Sequence, residues 1–165
     1  MIFTASTGKN LELAKAFKAK FTELNINCEI LNLVELNLPL YSNVTETQYQ
    51  PAELLGNHLD KIKAASGFVF LGPEYNGGVP PVMTNFIAWV SRSSTVWREA
   101  FNTKPAVIGS FSGGGGLSML TALRSQLAYI GITVVGRQIS FSGGKALDEA
   151  ALTDICGQLK RLTYL

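Results

Sequence analysis

A single histidine, two cysteines and a charged fraction of only 16% leave this 165-residue chain short of the groups on which polar catalysis and metal binding usually draw. Cys28 and Cys156 stand far apart and outside any C-x-x-C spacing, so neither a disulfide framework nor a thiolate metal site is indicated. His58 is the only imidazole and falls within a helical stretch, where it reads as a structural or surface residue. No catalytic triad and no His/Cys metal cluster can be assembled. Asp60, Asp148, Glu149 and Asp154 fall on or near helices and read as solvated. Charge of one sign is lacking too. The 14 Lys+Arg against 12 Asp+Glu leave +2 with no charged tail, which argues against a nucleic-acid partner. No apolar run nears the ~20 residues of a membrane span, and the short apolar run after Met1 lacks the basic flank of a secretory signal. These absences point to a reduced, cytoplasmic protein with no membrane partner.

What the chain has is apolar residues, 47% of the total. A chain of this length buries roughly 70% of the surface its unfolded form exposes, enough for one domain over residues 1–165 without disulfides or a structural metal. Met1 to Ala5 is a short strand followed by a loop and a helix whose Leu11, Ala14, Phe17, Phe21 and Leu24 recur at helical spacing. Cys28 to Leu33 reads as a second strand, Asn37 to Gln50 as a loop, and Pro51 to Ala65 as a helix with Pro51 near its first turn. Gly67 to Leu71 is continuously apolar, the pattern of a strand covered on both faces. A loop to Pro81, a helix from Val82 to Ser93, a strand from Ala106 to Phe111 and a helix from Leu117 to Tyr129 follow. Gly131 to Val135 gives a fifth strand and Leu147 to Leu162 a closing helix. The first strand is short against the typical ~5–6 residues, which leaves room for a missing upstream segment. Strict alternation predicts an α/β fold with an open parallel sheet and right-handed crossovers. Ligands in such sheets bind at the carboxyl ends of the strands, where the loops after strands one, three and four are all rich in Gly, Pro, Ser or Asn.

In the first of these loops, Thr4-Ala5-Ser6-Thr7-Gly8-Lys9-Asn10, backbone N–H groups, the helix dipole and the hydroxyls of Ser6 and Thr7 converge on an anion, and phosphate is the natural guest. Lys9 adds a point charge, Asn10 a side-chain donor, and Gly8 lets the backbone approach closely. An ordinary capped turn is the alternative. The loop is not a nucleotide-triphosphate P-loop, because Phe3 stands where the first Gly belongs and Asn10 replaces the magnesium-binding hydroxyl. In the second loop, running from Pro73 to Pro81, Glu74, Tyr75 and Asn76 offer an acceptor, an aromatic wall and a donor to a flat heterocycle, or else form a rigid surface turn. The third loop, Ser112 to Gly116, has no side chains that would collide with a ring lying against it, and is otherwise a loose linker. It does not satisfy G-x-G-x-x-G, since Met119 occupies the final position counted from Gly114.

The run Pro73-Glu74-Tyr75-Asn76-Gly77-Gly78-Val79-Pro80-Pro81 through Arg92 resembles the signature of the NADPH-dependent FMN reductase family. That signature reads P-E-Y-N, a short spacer, Pro, then K-N-A-I-D-W. Thr84-Asn85-Phe86-Ile87-Ala88-Trp89 follows it with Thr for Lys, Phe for Ala and Ala for Asp. Weaker similarity covers the first loop, the Ser112 to Gly116 loop, and Leu123-Arg124-Ser125-Gln126-Leu127, which resembles the family's L-R-x-x-L segment. The resemblance implies a flavodoxin-like three-layer sandwich with a five-stranded parallel sheet in the order 2-1-3-4-5 and helices on both faces. It implies FMN as cofactor and NADPH or NADH as donor. The acceptor would be a small molecule, a flavin, quinone, azo compound or metal oxyanion, reduced by ping-pong hydride transfer.

Carried over by position, the resemblance assigns Ser6, Lys9, Asn10 and Leu11 to the FMN phosphate. It assigns Pro73, Glu74, Tyr75, Asn76 and Gly77 to one side of the isoalloxazine, mostly through backbone groups, and Ser112, Gly113 and Gly114 to its pyrimidine edge. The first loop departs from the family's G-S-x-R pattern; in length it is closer to the S-T-G-x-T loop of flavodoxins, with Lys9-Asn10 in the last two positions. Flavin chemistry needs no protein nucleophile, which agrees with the sparse acid–base inventory. Phe86, Trp89 and Trp97 read as core aromatics. The family's homodimers and homotetramers make Trp97, Arg92 and Arg98 candidates for an interface. Two rival readings are a flavodoxin-type FMN carrier without its own NAD(P)H site, whose surface would ordinarily be acidic, and a flavin-free interaction module.

Overall fold

The computed structural model describes residues 1–143 and 146–163. The chain runs through β1 (Ile2–Thr4), α1 (Lys9–Glu23), β2 (Ile30–Asn32), α2 (Asn43–Glu46), α3 (Pro51–Leu55), α4 (Asn57–Ala64), β3 (Phe68–Leu71), α5 (Pro81–Arg92), β4 (Pro105–Phe111), α6 (Leu117–Tyr129), β5 (Thr133–Val134), β6 (Ile139–Phe141) and α7 (Glu149–Thr163). All pairings are parallel, in the order β2-β1-β3-β4-β5, with β6 also on β4.

Side chains alternate across the sheet and so divide the core in two. Phe3, Phe68, Phe70, Ala106 and Ile108 face α3 to α6, while Ile2, Val69, Leu71 and Val107 face α1 and α7. Both faces are covered, which is why β3 is apolar at every position and buried throughout. The result is the expected flavodoxin-like sandwich.

The predicted fifth strand is shorter than expected and is joined by a sixth. β4 is seven residues long; its first two residues pair with Thr133 and Val134, and Gly109, Ser110 and Phe111 pair with Ile139, Ser140 and Phe141. One edge position is therefore filled by two strand pieces. Between them Arg124 donates Nη1 to the carbonyls of Val134 (3.3 Å) and Val135 (2.9 Å), and Nη2 to Gln138 Oε1 (3.0 Å). These bonds serve carbonyls that have left the ladder. The polar run Gly136-Arg137-Gln138 hides this interruption in the sequence.

Three smaller expectations are also corrected. Residues 37–50 are not all loop, because Ser42 and Thr45 form a reciprocal capping box that nucleates α2. The helix expected from Pro51 to Ala65 breaks at Gly56, whose φ of 50° no helical residue adopts. Asp148 is not simply solvated, since its Oδ1 accepts from Ala151 N (3.0 Å) and caps α7.

Candidate functional site

The chain reverses sheet direction between β1 and β3, and the loops after β1, β3 and β4 lie together at the carboxyl edge beside that switch. Hydrogen bonds join them. Ala5 N donates to Leu71 O (2.8 Å) and Gly72 N to Gly109 O (3.2 Å), which align the starts of the first two loops. A Cβ on Gly72 would stand 3.1 Å from Met119 Cε and from Pro80 Cγ, so the second loop leaves β3 in close packing against α6.

In the first loop, Ser6 Oγ accepts from Gly8 N (3.0 Å) and holds the turn. Gly8 O accepts from Leu11 N (2.8 Å) and Glu12 N. The N–H groups of Thr7, Lys9 and Asn10 have no acceptor among the described residues, and the N-cap Gly8 supplies no side chain. This leaves a row of free donors at the positive end of α1. Lys9 is exposed and pairs with Glu12 at 2.8 Å.

Asn10 behaves differently from the sequence expectation. Its side chain is 2% exposed; Nδ2 donates to Phe111 O (3.0 Å) and Oδ1 accepts from Phe111 N (2.8 Å). The amide therefore mimics a strand partner for the last residue of β4 and fastens α1 to the third loop. Its backbone N–H is what it has left to offer an anion. Leu11 N is likewise engaged by Gly8.

The second loop is ordered by its own turn. Tyr75 N donates to Gly78 O (3.2 Å) and Gly78 N to Tyr75 O (2.9 Å), with Asn76 and Gly77 at φ of 51° and 74°. Positive φ at both central residues is the type I′ requirement, and Asn-Gly is its preferred sequence. Tyr75 stands 54% exposed at the corner. Glu74 turns inward. Its N–H donates to Ser112 Oγ, and its Oε2 accepts from Met119 N at 3.0 Å.

In the third loop, Ser112 N donates to Phe141 O (3.2 Å) and Gly115 O accepts from Ser140 Oγ (2.6 Å), so β6 braces the glycines. Sequence reasoning missed Ser140 and Phe141 because the strand that carries them went unrecognised. A Cβ on Gly113 or Gly114 would meet nothing within 4 Å, whereas one on Gly116 would come within 2.2 Å of Ser110 Oγ. Gly116 is thus required by packing, while Gly113 and Gly114 leave open surface at the crevice.

The other ionisable groups lie outside these loops. Cys156 lies on the buried face of α7, and burial pushes its thiol up to about 12, so it is a core residue rather than a nucleophile. His58 sits on α4 with a buried, unpartnered Nδ1. Trp97 is not core: it is 40% exposed, with the Arg98 guanidinium 4.3 Å from its ring centroid. A concavity of about 400 Å³ opens at the opposite edge of the sheet, lined in part by Ile2, Cys28, Lys61 and Leu159. Among the described residues no group of three or more His, Cys, Asp or Glu could hold a metal ion, and no helix is long and apolar enough to cross a membrane.

Residues 1–146 match the NADPH-dependent FMN reductase family. The chain belongs to this family. As a member it is an oxidoreductase that works with FMN and NAD(P)H. It is 30% identical to a quinone reductase of Pseudomonas putida over 140 residues, which cover 83% of this chain and 72% of the relative. It is 26% identical to an NADPH azoreductase of a Bacillus species over 127 residues, 76% of this chain and 67% of that one. Among solved structures it is similar to FerB, a flavoenzyme NAD(P)H:(acceptor) oxidoreductase of Paracoccus denitrificans, with a TM-score of 0.71 and 20% identity over 99% of this chain and 93% of that chain. It also resembles an archaeal flavodoxin, at TM-score 0.65 and 13% identity, over 98% and 96% of the two chains. These two likenesses concern the fold.

The donor set suits FMN. A dianionic phosphate matches free amides at a helix start with hydroxyls and one lysine beside them, and a flat ring matches the open surface at Gly113 and Gly114.

Proposed function

We propose that the enzyme transfers electrons from NAD(P)H to a small quinone-like or azo acceptor by a ping-pong sequence in which donor and acceptor use the same opening in turn. The free amides of Thr7, Lys9 and Asn10, in a loop that shares the carboxyl edge of the sheet with the two glycine-containing loops, support this reading. The named relatives, a quinone reductase and an azoreductase, suggest the acceptor class.

In this reading the phosphate is held by the backbone N–H groups of Thr7, Lys9 and Asn10, the hydroxyls of Ser6 and Thr7, and the Lys9 ammonium. The ring end is bounded by Pro73 to Gly77 on one side and by Ser112, Gly113 and Gly114 at the pyrimidine edge. FMN when bound supplies the redox chemistry, taking a hydride equivalent from the nicotinamide and giving electrons to the acceptor. The chain's part is orientation: the I′ turn fixes Tyr75 as an exposed aromatic wall against which a flat ring can stack. The enzyme works as a homo-oligomer in the cytoplasm, with the exposed rings of Trp97 and Tyr129, packed on the half-buried Arg98, available for subunit contact.

The Lys9 contact is directly testable. Lys9→Ala is expected to weaken FMN binding about 10-fold, since a charge-assisted bond is worth roughly 1.5–3 kcal/mol, reduced by exposure and by the competing Glu12. The midpoint of unfolding should not move. Flavin fluorescence quenching on titration measures the affinity; an unchanged affinity would move the phosphate's cation elsewhere. The acceptor class is tested by steady-state rates with NADPH and a benzoquinone or an azo dye, where parallel double-reciprocal lines support ping-pong order and intersecting lines oppose it.

A further inference from the structure

Four consecutive glycines are costly to order, because each loses more backbone freedom on folding than any other residue. Yet Gly113 to Gly116 must hold one shape if a ring is to lie against them. The loop has little of its own with which to do so: Gly113 and Gly114 bring no side chain within reach of anything, and Gly116 is an N-cap without a capping group. The first turn of α6 carries no acidic residue either.

The missing restraint comes from Glu74. Its backbone N–H donates to Ser112 Oγ, immediately before the glycines, and its carboxylate accepts from Met119 N at 3.0 Å, the third residue of the helix they open. Ser112 Oγ also accepts from Ser110 Oγ at 3.3 Å, which ties it to the end of β4. One residue, 38 positions from one end and 45 from the other, therefore spans the whole loop. The carboxylate is also an N-cap supplied from another loop, at the helix end where negative charge is favoured.

We propose that Glu74 is a positioning residue: a clasp that sets the glycine loop in its binding shape before the flavin arrives, and that couples the loop carrying Tyr75 to the loop beneath the ring. The proposal rests on the FMN reading of the site. If the clasp opens, only the fraction of molecules with the loop in place can bind, and the apparent affinity falls by that fraction. The acceptor oxygen does most of this work, and the charge adds a smaller contribution at the helix end. Glutamine keeps an oxygen able to accept from Met119 N and alanine does not.

Three proteins, wild type, Glu74→Gln and Glu74→Ala, are compared in two measurements. In the apoprotein, hydrogen exchange of the segment holding Gly115 to Met119 should be protected in wild type and Glu74→Gln and should speed up in Glu74→Ala, with far-ultraviolet circular dichroism unchanged. In titrations with FMN, Glu74→Ala should bind roughly 10-fold more weakly, which is about 1.4 kcal/mol and within the range for loss of one cap, and Glu74→Gln should stay close to wild type. Equal losses in both variants would assign the effect to charge and overturn the clasp, as would unchanged exchange in Glu74→Ala. A wild-type protein that shows the exchange pattern but binds no FMN would sink the cofactor reading while leaving the loop restraint in place.

Discussion

Trp89→Ala is expected to destabilise the protein by about 3–5 kcal/mol, the range for truncating a large buried aromatic, read as a fall in the urea midpoint with little change in slope. Trp89 is fully buried, and its Nε1 donates to Pro39 O at 2.7 Å. Asn85, one turn earlier, accepts from Tyr41 N (2.7 Å) and donates to Pro39 O (3.0 Å). Arg92, one turn later, bonds Glu46 at 2.6 Å, and Tyr41 OH donates to the same carboxylate at 2.9 Å. These three residues of α5 thus form a row that straps segment 38–46 along the helix. Removing the indole leaves a cavity and takes one of the two donors from Pro39 O at the strap's anchor, leaving only Asn85 on it. Trp89→Phe keeps most of the volume and loses only the donor, so its cost should be clearly smaller. Among the described residues no hydrogen bond joins the strap to the three loops, and FMN affinity of folded Trp89→Phe should equal that of wild type. A large loss of affinity without loss of stability would place the indole at the cofactor instead.

The strap carries a pH dependence of known sign. The bonds from Arg92 and then Tyr41 hold the Glu46 carboxyl below its ordinary value of 4.5. A group whose pKa is depressed on folding stabilises above its unfolded value and loses that contribution as pH falls through the folded one. On the acid side the strap should therefore loosen as pH falls, and since burial and then the bond to Glu46 raise the Tyr41 hydroxyl, its contribution is lost in strong base.

Asn10→Leu is the second large effect. The leucine approximates the asparagine in size but leaves both the N–H and the C=O of Phe111 without partners. Each unsatisfied group costs roughly 1–3 kcal/mol, so about 2–4 kcal/mol in total is expected because the site is only partly closed to water. Since the same amide holds the start of α1 against the end of β4, FMN affinity should fall as well, through displacement of the free amides at Thr7 and Lys9. Asn10→Asp separates the two roles: it keeps the acceptor for Phe111 N, loses the donor to Phe111 O, and adds a negative charge beside the phosphate site. It should bind FMN worst of all while costing less stability than leucine. Denaturation and flavin titration of both variants check this. Equal affinity in wild type and Asn10→Asp would show that no phosphate lies near the start of α1.

The layers of this fold were legible because periodicity reports burial. β3 is apolar throughout, and it is buried on both faces; α1 and α5 carry apolar residues at helical spacing, and those residues meet the sheet. The position of the site was legible for a related reason, since Gly, Pro and Asn collect where the backbone must leave regular geometry. The type I′ turn at Asn76-Gly77 follows directly from its two residues. Contacts across distant sequence were not legible. That Glu74 would reach Met119, or Asn10 clasp Phe111 from 101 positions away, depends on how three crossovers place their loops. β6 was hidden for another reason: only three residues long, with Ser140 at its centre and a polar run before it, it has no period to detect. The signature residues Asn85 and Trp89 were visible as a pattern, but their work in holding the 38–46 segment was not.

The central claim is that this three-loop edge binds FMN and passes it electrons from NAD(P)H. The most direct measurement is the visible spectrum of the protein reconstituted with FMN, freed of excess flavin, and mixed anaerobically with NADPH and separately with NADH. A retained flavin band that bleaches within the mixing experiment, and returns on adding a benzoquinone, is the predicted result. Retained flavin that neither nucleotide bleaches would make the protein a carrier and contradict the account, and loss of the flavin band on gel filtration would contradict it at the level of the site.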